Sequence, residues 1–553
     1  MAVLPWRGAK RLGYVEYLVH GDGYYTTILI VLEMLRRRLA DHGLTVDRYD
    51  IEVTIRDAAG GMLREVVRQY AGTAAFARLT STDFLPSDCT VTGSMEFLIR
   101  CSDQSGRSLD QVLLDAHVSP DAFLLWTDER RTCTCTHANM ATGRAPLPWR
   151  AWRRIEWKAR ELTHRNHTYA GAIAVFDDDR STSALVLQSY GRPWRNIPLE
   201  LRNAAGEVLR TRLPGLGRHQ VSEVAIGDAF PAARAFLNGA PGNILVKSYP
   251  DDLRRYRFLV KTTDRRTGAF SLDHSYYMSK LARRTYPAVD QERLGKGFMF
   301  PHSLLLTDNL TTSVIVFNTE LEDRAKTLGL LVYDAQGAEV LHEHHAARVP
   351  ARGFVHLDFR RYVALKAGQT FEGHFELYYA EPCTGEGRFA TGLHGQVLYD
   401  GPNARESTQV GADVPWHSPR GFVRPDWVLN YQTVFMVLPY FCTESLETYI
   451  NFANVSHAWD YRDAAAFRCE LVDQDGCVVD RQDIELAPNA QVHQSLRALF
   501  RRQPQGGVGL VFVTARDPDR SWVPLHYFIE CAPAGVTTSD HGQGLYAYHL
   551  MGQ

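Results

Sequence analysis

The chain has 553 residues, which at roughly 100 to 200 residues per domain predicts three to five domains. Hydrophobic residues make up 45% and charged residues 22%, ordinary for a soluble globular protein, and a net charge of −2 leaves no global field to attract nucleic acid or an anionic membrane. The longest apolar stretch near the N-terminus, ILIVLEML at residues 28–35, is too short to span a bilayer and is broken by Glu33.

The opening MAVLPWRGAK lacks the charged-then-apolar order of a secretory signal, so a cytoplasmic location is expected. The nine cysteines, an odd number spread along the chain, fit reduced thiols better than a disulfide framework.

The first predicted unit, 12–117, opens with YLVHGDGYYTTILIV, an apolar run, a polar turn and a second apolar run. Next comes RDAAGGML, in which Asp57 stands first and Gly60 fourth of a type I turn. Ile51, Val53 and Ile55 alternate with polar residues before it, as in a half-buried strand. A three-residue hairpin loop with a bulge glycine uses this chemistry. The unit closes on FLIRCSDQSGRSLDQVLLDAH, read as strand, turn, strand and a terminal histidine.

Residues 118–167 read as a Trp- and Arg-rich connecting segment, with Trp152 to Leu162 the best helix candidate in the chain. Within it CTCTH (Cys133, Cys135, His137) is a weak zinc signal, since no second Cys pair lies nearby, and a plain loop is expected.

The same words recur in a second unit at 168–278 with Asn203 and Gly206, a third at 297–400 with Asp334 and Gly337, and a fourth at 432–533 with Asp473 and Gly476. The turn glycines are 146, 131 and 139 residues apart, the size of an independent domain and far longer than a propeller blade or solenoid unit. Six to eight short strands per unit predict a mainly β protein of four tandem, related antiparallel β-sandwiches of immunoglobulin-like type. Little helix is expected outside Trp152 to Leu162. A Pro- and Trp-rich segment at 401–431 separates the third and fourth units, and 534–553 reads as a C-terminal tail.

No catalytic word is present: no G-x-S-x-G, phosphate-binding loop, H-E-x-x-H or dinucleotide glycine fingerprint. HEHH at 342–345 falls just after the third turn, where it should be strand. There His342 and His344 share a face, an exposed polar face more than an incomplete metal site.

The strongest constellation is a strand-end histidine repeated in each unit: His117, His274, His394 and His526. Converging around a pseudo-symmetry axis, four neutral imidazoles would hold a divalent transition metal such as iron, zinc or copper. The plainer reading is a shared strand-end bond or interdomain contact kept through duplication. Tyr276 and Tyr527 lie beside two of these histidines and could donate near them. The recurring Pro-Trp pairs, with Trp149, Trp194 and Trp416, suit stacking on a ligand or packing between domains. Two functions follow: a binding or scaffold protein recognising a carbohydrate or protein partner, with self-association a further expectation, or a metal-dependent enzyme with a His-lined site between units.

Overall fold

The computed structural model describes residues 12–142, 168–279, 301–410 and 433–546, apart from short internal segments of which 248–257, 381–392 and 517–525 are among the longest. The candidate helix at Trp152 to Leu162 lies outside the described residues. Within them the protein is mainly β, and every strand pairing is antiparallel. No helix among them is long and apolar enough to cross a membrane.

The strands form eight sheets, two to each of four sandwich units. In the first unit one sheet runs Met62–Ala71, Arg48–Asp57, Val91–Ser102, Leu12–His20, Ala141–Thr142. The other runs Phe76–Thr80, Tyr25–Val31, Asp121–Thr127, Cys133–His137. The remaining units repeat this order, with the glycine hairpin always at the edge of the first sheet. Burial follows the alternation expected: Ile51, Val53 and Ile55 are fully buried, and the polar residues between them are not. The longest helix among the described residues, Leu32–Ala40, lies where strand is expected, and three shorter ones stand at Ile226–Ala229, Ala233–Leu237 and Leu496–Leu499. Leu32, Leu35 and Leu39 bury one face of the longest, and Glu33 pairs with Arg36 and Arg37 one turn on.

A second repeated residue explains why each second apolar run opens with Thr or Ser. Thr26, Ser183, Thr312 and Thr448 each accept, through the hydroxyl, the backbone N–H seven residues earlier, at 2.9–3.0 Å. The hydroxyl ties the ends of the two runs together where the sheets separate.

The four glycine turns have the predicted chemistry. Gly60, Gly206, Gly337 and Gly476 stand at φ +89°, +82°, +89° and +88° and donate to the first residue's carbonyl at 3.0–3.2 Å. The Asx side chain accepts the N–H of the residue after the glycine at 2.8–3.0 Å.

These turns also do something the sequence does not state. The second turn residue offers its carbonyl to the next unit: Val221 N–H donates to Ala58, Gln491 to Ala335 and Ala75 to Gln474, each at 3.0 Å. Between the second and third units the Arg202 guanidinium instead donates to the Arg352 carbonyl at 2.9 Å. First grips second, second grips third, third grips fourth and fourth grips first. The four sandwiches therefore close into a ring. Its apolar cores run across the joints: Phe76 and Phe123 of the first unit cluster with Phe467 and Tyr527 of the fourth, and Phe176 of the second with Phe317 of the third.

At the centre four edge strands pack in cyclic order: β1 (Cys133–His137), β2 (Phe270–His274), β3 (Arg405–Val410) and β4 (Val536–His541). Three of them revise the expected boundaries. The first unit runs on to residue 142, the third to 410 and the fourth to 546, into stretches read as connectors, loop or tail. The sequences CTCTH, RESTQV and VTTSDH carry no apolar period because hydroxyls and carboxyls, not alkyl groups, face the axis. Thr134 accepts the Leu272 N–H at 2.9 Å, and Thr538 accepts the Cys135 N–H at 3.0 Å.

Candidate functional site

β2 and β4 end on the same dipeptide, Asp273-His274 and Asp540-His541, folded the same way. Each Asp accepts its own histidine's backbone N–H at 2.7 Å. Each imidazole sends Nδ1 to the carbonyl of the next residue, Ser275 at 3.1 Å and Gly542 at 2.9 Å. A carbonyl only accepts, so Nδ1 carries the proton, and in the neutral ring the lone pair sits on Nε2.

β1 ends on His137, whose Nδ1 lies 3.1 Å from Asp540 Oδ2. The His137 ring is 4.6 Å from that of His274 and 4.5 Å from that of His541. Three units thus bring an imidazole to one end of the axis. One ligand atom from each of His137, Asp540 and His541 lies within 4.8 Å of the other two. Burial pushes the Asp540 carboxyl up, but His137 and His541 outweigh it and hold the group below the ordinary aspartate value.

His526 is the cross-strand partner of His541 and lies 3.8 Å from the His302 ring. Tyr399 donates to the Ser303 carbonyl at 3.0 Å and so accepts from His302 Nδ1 at 2.9 Å. Burial lowers His302 to about 3, and burial with the neighbouring His302 and His541 holds His526 well below its ordinary value. Both are neutral.

Further down the axis Asp273 accepts Gln396 and Ser407 at 2.9 Å each, yet complete burial raises it to about 7. Burial also drives Glu406 well above the ordinary glutamate value. The hydroxyls of Thr538 and Thr134 favour its charged form, and burial outweighs them.

The structure brings part of the predicted set to this end. His274 stands against His137, and His526 lies across from His541. His394 stacks flat on Tyr276 at 3.8 Å. His117, Trp149 and Trp416 lie outside the described residues. Trp194 and Tyr527 are buried in cores, Tyr527 edge-on against Phe123, which leaves neither a face for stacking on a ligand. The three described histidines of the predicted set are not equivalent in the fold: His274 ends an edge strand, whereas His394 and His526 lie near the start of the strand beside it. The second unit's strand–turn–strand word begins one strand later in the fold than those of the other units, so the counterpart of His274 in the fourth unit is His541, not His526. The signal that finds it is the repeated Asp-His pair.

HEHH is strand, as expected, with His342 and His344 on one face, 4.1 Å apart and both bonded to the Tyr378 hydroxyl, at 2.7 and 2.9 Å.

No family model matches the chain, and no curated protein matches it. Among solved structures it is similar to two glycosyl hydrolase family 2 members from Bacteroides cellulosilyticus. One is 9% identical over 47% of this chain and 29% of that one, the other 14% identical over 44% and 28%, each with a TM-score of 0.11. The matched part thus spans less than a third of either protein, and a likeness of this size says nothing of what this chain does.

Proposed function

We propose that the ring binds a divalent transition metal where its first and last units meet, with His137, Asp540 and His541 as donors. The observation that carries this is the mutual 4.8 Å spacing of one ligand atom from each. Imidazole and carboxylate together suit iron, zinc or copper. The Nδ1 bond from His541 to a backbone carbonyl is the outer contact that orients a metal-binding imidazole and leaves Nε2 to ligate. This deepens the reading of a His-lined site between units, with a different set of residues. The eight described cysteines are all thiols, which supports a cytoplasmic setting.

The test is metal analysis of the purified full chain after exposure to zinc, iron or copper. We expect about one ion per chain, and at least a tenfold loss of affinity in Asp540→Asn and His541→Gln, since loss of even an outer-shell partner costs roughly that much. A wild-type chain that retains no ion after desalting would end the proposal.

A second reading, binding of a carbohydrate, has one observation in its favour. Trp459 is 42% exposed and sits on His342 and beside Tyr378, at 5.8 and 5.2 Å between rings. Such an aromatic surface suits sugar stacking, and loss of glycan binding in Trp459→Ala would support it.

A further inference from the structure

We infer that the HEHH strand carries a second metal site, in which His342, His344 and Tyr378 hold a transition-metal ion at the joint of the third and fourth units. It is independent of the cluster between the first and last units. In sequence the two histidines are two ligands and no more; the fold brings the third. They stand on Glu339–Val349, Tyr378 on Phe371–Tyr379, and Lys326–Asp334 runs between those two strands. The phenol crosses this middle strand at Gly329, its direct cross-strand partner. A Cβ on Gly329 would lie 2.0 Å from Tyr378 Cζ, so only glycine leaves the ring its path. On the other side of Gly329 the register slips: Leu328 faces Ala347 and Leu330 faces Glu343, so one residue stands opposite three. Such a bulge re-aims side chains, and here both imidazoles meet the hydroxyl.

The spacing is that of ligands on a common ion. His342 Nε2 lies 2.7 Å and His344 Nδ1 2.9 Å from the Tyr378 oxygen, with the two rings 4.1 Å apart. Bonds of about 2.0–2.1 Å place neighbouring donors roughly 2.8–3.4 Å apart, from square-planar to tetrahedral geometry. An ion at that distance from all three atoms needs only small ring rotations, and His344 is exposed. Two imidazoles with a phenolate oxygen form a nitrogen and oxygen set that suits copper(II) first. In the empty site the hydroxyl donates to one imidazole and accepts from the other. On binding, the ion takes a lone pair from each nitrogen and from the oxygen. The phenol proton leaves to solvent, the imidazole proton that faced the oxygen moves to that ring's other nitrogen, and nothing is oxidised or reduced. Glu343 and Glu339 place negative charge near the hydroxyl, which favours a cation there. Trp459 of the fourth unit packs against both His342 and Tyr378, which ties the site to the joint.

The experiment titrates the full chain with copper(II) and reads copper content and the visible spectrum on the same sample. A phenolate on copper(II) gives a visible charge-transfer band that imidazole and carboxylate donors do not, so the band reports this site and not the cluster at His137. We expect a saturable band in the wild type and in Asp540→Asn. Tyr378→Phe, which keeps the ring over Gly329, abolishes the band. His344→Gln, at an exposed position, weakens the copper affinity read from the band at least about tenfold, since loss of even an outer-shell partner costs roughly that much. Thermal melting of both variants checks that they fold. A wild type that gives no visible band in excess copper(II) overturns the site, whether or not it binds copper elsewhere. So does a band that survives undiminished in Tyr378→Phe or His344→Gln, or one that disappears in Asp540→Asn.

Discussion

Glu406 shows how the axis uses residues that a surface would scatter. Its carboxyl is fully buried on β3 and faces two threonine hydroxyls, and burial holds its proton well above the ordinary glutamate value. The folded chain thus keeps a proton that the unfolded chain releases. Its contribution to stability is complete below the unfolded pKa, near 4.3, and is lost as pH rises from there to the folded pKa, at about 1.4 kcal/mol per pH unit. Glu406→Gln keeps the shape and removes the ionisation. We expect the thermal midpoint of the wild type to fall more steeply than that of Glu406→Gln between pH 5 and pH 8. Parallel midpoint curves would mean that the carboxyl ionises without cost where it lies. Residue type alone suggested none of this: a glutamate in the polar word RESTQV reads as a surface strand or a linker.

The glycine turn is the element that sequence reading recovered most fully, because its chemistry is local. An Asx at the first position and a glycine at the fourth meet their requirements within a few residues. What the turn touches is not local. A Cβ on Gly337 would lie 2.4 Å from the Pro488 carbonyl oxygen of the next unit, while one on Gly206 would meet nothing within 4 Å. Both positions have positive φ, so Gly206→Ala should cost about 1 kcal/mol from backbone strain alone. Gly337→Ala adds a collision with backbone and should cost a further 1–3 kcal/mol, roughly. Chemical denaturation of the two variants checks this, and equal losses would show that the third turn does not press on the fourth unit. The axial strands are the opposite case. Their polar faces are buried by other units, so hydrophobic period, the usual strand signal, is missing from β1, β3 and β4.

At the scale of the whole molecule the ring has cores that cross its joints, not four separate ones. Phe123 belongs to the first unit but packs edge-on against Tyr527 of the fourth, 5.8 Å between rings. Phe123→Ala should cost about 3–5 kcal/mol. We expect scanning calorimetry to show one transition moved to lower temperature. A shifted first transition beside an unshifted remainder would mean that the units unfold separately and the shared core contributes little. The joint between first and last units also carries the His137, Asp540 and His541 cluster, in which His137 stands 403 residues from Asp540 along the chain.

The sequence by itself determined the fold class, the fourfold repeat, the turns and the alternation of the hairpin strands. Each of these is written in residues within a few positions of one another: Asp57 with Gly60, Ile51 with Val53. It also pointed to histidines at strand ends, and His274 and His526 stand at the axial cluster. Only the tertiary structure decided that the units close into a ring, that CTCTH and VTTSDH are central strands, and that His137 meets Asp540 and His541. Those contacts join residues of different units, and their geometry depends on how whole sandwiches dock. No spacing in the chain records that docking, because the bonds that make it are largely to backbone carbonyls and N–H groups, which every residue carries.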